Sequence, residues 1–70
     1  MIGREFRSRL DAAIVGNGVT IPQLARRSGY SESYLRRLLV GKQNNPTIFA
    51  VATLAESLDC CPFWLLGTDE

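Results

Sequence analysis

The chain has 70 residues, which allows one domain with one small core. Hydrophobic residues make up 46% and charged residues 21%, a globular balance that excludes a disordered or fibrous chain. The formal net charge of +1 hides an asymmetry: residues 1–45 hold all eight Lys and Arg against Glu5, Asp11 and Glu32, net +5, whereas residues 46–70 hold Glu56, Asp59, Asp69 and Glu70 and no base, net −4. A basic end suits a polyanion.

Phe6, Leu10, Ala13 and Ile14 recur at helical spacing while Arg4, Arg7, Ser8 and Asp11 point elsewhere, which predicts a first helix over about Gly3 to Val15. Gly16, Asn17 and Gly18 follow as its stop, since glycine and asparagine readily take the left-handed conformation that ends a helix. Thr20 opens the second helix, expected from Ile21 to Ser28. Thr20 with Gln23 fits a capping box, Val19 can staple against Leu24, and Pro22 stands in the first turn, where a missing N–H costs nothing. Gly29 breaks this helix, and Ser31 caps a third over Glu32 to about Val40, closed by Gly41.

Lys42-Gln43-Asn44-Asn45-Pro46 is polar and rich in turn formers, and is read as a loop. Thr47 caps a fourth helix whose inward residues are expected to be Ile48, Val51, Leu54, Ala55 and Leu58. Cys61 stands at a cap position and Pro62 in the first turn of a short fifth helix, Phe63 to Leu66, ended by Gly67. The expected fold is therefore all-α, a single domain over 1–70 with five helices and no strand.

Other chemistry finds little support. No apolar run approaches the roughly 20 residues of a membrane span, and charges stand where a signal peptide would be apolar, so a cytoplasmic protein without a membrane partner is expected. There is no His, and Cys60 and Cys61 alone cannot make a tetrahedral zinc site; as sequence neighbours they also disulfide poorly, and both are read as packing residues. No paired carboxylates, phosphate-cradling loop or metal set suggests an enzyme, and no cofactor or small-molecule ligand is implied.

Two helices of about eight residues joined by a tight turn at Gly29 fit a DNA-reading helix-turn-helix, whose second helix enters the major groove while the first crosses the backbone. Ala25 is small enough for the axes to approach, and Leu24, Leu35 and Leu38 fill the angle between them. The residues Gln23-Leu24-Ala25, Gly29, Ser31, Tyr34-Leu35, Gly41-Lys42, Pro46-Thr47, Leu54-Ala55, Leu58 and Trp64-Leu65-Leu66-Gly67 resemble the phage repressor and Cro type of helix-turn-helix over nearly the whole chain.

That resemblance implies a five-helix domain binding a short palindromic operator in double-stranded DNA as a homodimer, with one recognition helix per half-site. It places base contacts at Glu32, Ser33, Arg36 and Arg37. Arg37 can grip guanine O6 and N7, and Glu32 can accept from cytosine N4 or instead orient Arg36. Phosphate contacts fall at Thr20, Gln23, Lys42, Asn44, Asn45 and Thr47, near free backbone N–H groups, although capping and turn formation account for the same residues. Tyr34 is open between packing and a phosphate hydrogen bond. Tyr30, where the family has a small aliphatic residue, is expected to bury part of its ring.

Two departures stand out. Ile14 and Leu39 hold positions where the family often pairs Arg with Glu, and exchanging both partners for apolar residues avoids a stranded charge; the two are expected to touch. Phe49 and Phe63 replace polar residues, which suggests an exposed dimer contact using Phe63 and, secondarily, Phe49, or simply an enlarged core. A protein-binding module on the same fold, or the DNA-binding part of a toxin-antitoxin or phage regulatory system, would share these features.

Overall fold

A computed structural model describes residues 4–42 and 46–67. Among them are five helices and no strand: α1 (Arg4–Asn17), α2 (Ile21–Ser28), α3 (Glu32–Val40), α4 (Ile48–Ser57) and α5 (Pro62–Leu66). α1 packs on α3 and α5, α2 on α3 and α4, and α4 on α5.

Three of the caps read from the sequence form as side-chain hydrogen bonds, whereas Cys61, at the cap of α5, makes none. Thr20 Oγ1 accepts from Gln23 N while Gln23 Oε1 accepts from Thr20 N, completing a capping box. Ser31 Oγ accepts from Tyr34 N, and Thr47 Oγ1 accepts from Ala50 N. Gly29 takes φ 82°, the left-handed geometry that turns α2 into α3 at no steric cost. Gly41 closes α3 at φ 84°, and a Cβ there would also meet the Arg7 guanidinium, which lies across this cap from α1.

α1 runs two residues past its expected end. Gly16 stays helical and only Gly18 turns left-handed, at φ 66°. The extension is held by Asn17, whose Nδ2 donates to Ala13 O at 2.8 Å and Leu58 O at 3.0 Å, tying the end of α1 to the end of α4. The expected start at Gly3 lies outside the described residues.

A cluster of Phe6, Leu10, Ala13, Ile14, Leu24, Leu35, Leu38, Val51, Leu54, Ala55, Leu58 and Leu65 forms the core. Ile14 is buried and Leu39 is half-buried against this same cluster, so neither stands in solvent. Tyr30 is also half-buried against it. Ile48 departs from expectation: it is 60% exposed, and Ala50 is buried in its stead. Helical side chains lean toward the N-terminus, so a residue in the first position of α4 projects past the edge of the core.

The cysteines also divide. Cys60 is half-buried against the core, whereas Cys61, expected to pack, is exposed because it occupies the extended cap before α5. Burial pushes the Cys60 thiol up, with Cys61 and Asp59 adding to the effect.

α5 is only five residues long and depends on α1. Arg9 Nη1 donates to Trp64 O at 2.6 Å, its guanidinium lies 5.3 Å from the Trp64 ring centroid, and Glu5 pairs with it at 3.5 Å. Sequence periodicity gave Arg9 no role because its partner is 55 residues away.

Leu24, Leu35 and Leu38 are fully buried, each stabilising the fold by roughly 1.5–3 kcal/mol. Leu35→Ala is expected to cost about 2–5 kcal/mol, read as a lowered midpoint in urea denaturation, and to loosen α3 against α2.

Candidate nucleic-acid interface

The burial of Leu35 and Leu38 decides which side of α3 remains outside. At about 100° per residue, Glu32, Arg36, Val40, Ser33 and Arg37 fall within an arc of roughly 140° on the opposite side. All five are exposed. The fold thus brings the four residues expected to touch bases, Glu32, Ser33, Arg36 and Arg37, onto one outward face.

The two arginines on that face differ. Arg36 Nη1 hydrogen-bonds Glu32 Oε1 at 3.2 Å, a salt bridge one helical turn long in which both side chains remain about half exposed. Of the two uses open to Glu32, orienting Arg36 is the one seen in the free protein. Exposed pairs of this kind contribute only a few tenths of a kcal/mol, so either partner can be drawn away by a base edge. Arg37 has no ion pair among the described residues, and its fork of donors is available to a bidentate acceptor.

Tyr34 packs half-buried against the core and stacks on Tyr30, with ring centroids 5.1 Å apart and planes 29° apart. Burial, followed by Tyr30, raises its hydroxyl above the ordinary tyrosine value, against a lowering by Arg37. The hydroxyl therefore keeps its proton at neutral pH and remains a donor.

The residues expected at phosphates lie on three elements. Thr20 and Gln23 open α2, Lys42 follows the α3 cap, and Thr47 opens α4; all four are exposed. Thr20 and Thr47 serve as caps through their oxygens, which leaves each hydroxyl hydrogen free to donate outward. Asn44 and Asn45 lie outside the described residues. Phe49 at the start of α4 is 78% exposed and Phe63 at the start of α5 is 64% exposed, so neither enlarges the core.

Val40 also stands on this outward face of α3, a place the sequence reading did not give it. It is 63% exposed, four residues after Arg36 and seven after Ser33, a spacing that would have placed it there. Its apolar tip is of the kind that can lie against a thymine methyl group.

No group of three or more His, Cys, Asp or Glu among the described residues could hold a metal ion, and no helix among them is long and apolar enough to cross a membrane.

A family model described as a helix-turn-helix domain matches residues 2–61, which spans the capped α2–α3 unit together with α1 and α4 and ends just before α5. That match supports DNA binding. No curated protein and no solved structure matches the chain.

Glu32 sets negative charge on the outward face of α3. Glu32→Gln is expected to tighten binding to random-sequence DNA a few-fold at low salt, by removing repulsion and releasing Arg36. Fluorescence anisotropy against a labelled duplex checks this; unchanged or weaker binding would mean that Glu32 faces away from the phosphates.

Proposed function

Because the chain belongs to the helix-turn-helix domain family, we propose that it is a sequence-specific transcriptional regulator of double-stranded DNA, a repressor of the phage repressor and Cro type. In this reading α3 lies in the major groove of each half of a palindromic operator and the protein acts as a homodimer. The observation that carries it is the outward arc of α3, where Arg37, without an ion pair among the described residues, stands beside a Glu32–Arg36 pair of exposed, exchangeable donors and acceptors.

Each side chain has a task suited to its chemistry. Arg37 grips guanine O6 and N7, the pairing that best matches its planar fork. Glu32 accepts from a cytosine N4 amino group or continues to hold Arg36 at the adjacent base. Ser33, small and at the entry of α3, donates to or accepts from a base edge, and Val40 meets a thymine methyl group.

Thr20, Gln23, Tyr34, Lys42, Asn44, Asn45 and Thr47 hold the phosphates that fix register. These contacts position the helix without reading sequence. The homodimer is built across Phe63, with Phe49 contributing, since two large exposed aromatics on so small a domain favour a covered surface.

Selection of bound sequences from a random DNA pool is expected to return a palindrome with half-site centres about one helical turn apart. Arg37→Gln should weaken binding to the selected duplex by about 5–150-fold, the equivalent of about 1–3 kcal/mol for a bidentate base contact, and relax the preference at one position. Recovery of no common sequence would favour a protein-binding module on the same fold. Phe63→Glu should convert a dimer to a monomer in sedimentation; an unchanged dimer would remove Phe63 from the interface.

A further inference from the structure

α2 carries a second basic feature that capping and core packing leave unused. Ile21, Leu24, Ala25 and Ser28 turn toward the protein, and the opposite side presents Gln23 between Arg26 and Arg27. These three residues line a shallow depression of about 320 Å³. Both arginines are exposed and neither side chain has an ion pair or hydrogen bond among the described residues. The helix itself, Ile-Pro-Gln-Leu-Ala-Arg-Arg-Ser, contains no acid.

We propose that Gln23, Arg26 and Arg27 form a second phosphate seat on the outer face of α2, which extends the DNA-backbone contact from the start of that helix along its length. The inference rests on the DNA-binding reading above. Three arguments favour a phosphate as occupant.

Gln23, one wall of the seat, stands on the helix that crosses the backbone in this docking mode. The capping box holds the Gln23 carbonyl oxygen on Thr20 N at 2.9 Å, so the amide end left for a ligand is its NH2 donor. Adjacent guanidinium groups without a counter-ion repel each other, and a backbone phosphodiester, a monoanion with two non-bridging oxygens, relieves this with bidentate geometry. A favourable interaction with the helix dipole accounts for basic residues in the last turn of α2. It does not account for their sharing a concave surface with Gln23.

The test is the double variant Arg26→Gln/Arg27→Gln, which removes the charge while keeping polarity and helix propensity at two exposed positions, with a thermal melt to verify the fold. The probe is a short random-sequence duplex titrated over a salt series. The slope of log K against log salt should be shallower by about 1–2 in the variant, since each lost phosphate contact removes roughly 0.9. The base preference recovered by selection should be unchanged. Wild-type binding with an identical slope in the variant overturns this inference alone. A wild-type protein that binds no duplex at low salt overturns the DNA reading with it, and variant-sensitive binding to polyglutamate in that case would assign the seat to an acidic polypeptide.

Discussion

Burial of Leu24 from α2 against Leu35 and Leu38 from α3 is the contact on which the remaining geometry depends. All three side chains are withdrawn completely from solvent, so α3 cannot roll about its axis without exposing leucine or burying Arg36 and Arg37. Either change costs several kcal/mol. The hydrophobic effect therefore aims the charged residues, although it makes no contact with them. The left-handed Gly29 sets the path between the two helices, and the capping box of α2 fixes where the first of them starts.

The other three helices brace this unit. α1 packs on α3 from behind, where Ile14 and Leu39 join the apolar cluster. A buried or half-buried ion pair there would need complete hydrogen bonding to break even, whereas two aliphatic side chains need only fit. Arg9 performs a similar service at the far end, where its guanidinium combines a backbone hydrogen bond, an aromatic face and a carboxylate to hold α5 on α1. Polar chemistry is thus concentrated at the edges of the core and on the outward arc of α3. The charge asymmetry of the chain follows the same division, with every Arg and Lys in the part that contains α1 to α3.

The helices and caps were legible because each is specified by residues within a few positions of one another. Thr20 with Gln23, Ser31 before α3 and Gly29 after α2 all act over three or four residues, and all formed as expected. The outward placement of Glu32, Ser33, Arg36 and Arg37 was legible for a related reason, since helical periodicity fixes the face once the leucines are assigned to the core. Features that depend on distant segments were not legible. Arg9 meets Trp64 across the fold, Asn17 bridges to Leu58, and the exposure of Ile48 depends on where the core ends rather than on the period of α4. Val40 was overlooked because an aliphatic residue near a helix end reads as core until its angular position is compared with Arg36.

The central claim is that the outward arc of α3 is the surface that meets DNA. The most direct measurement is solution NMR of the isotope-labelled protein titrated with a selected duplex, following both backbone amides and arginine side-chain N–H groups. The account predicts the largest shifts at Ser33, Arg36 and Arg37, accompanied by intermolecular contacts from the Arg37 guanidinium to a base edge in the major groove. Shifts confined to α4 and α5, with the Arg36 and Arg37 side chains unmoved, would contradict it.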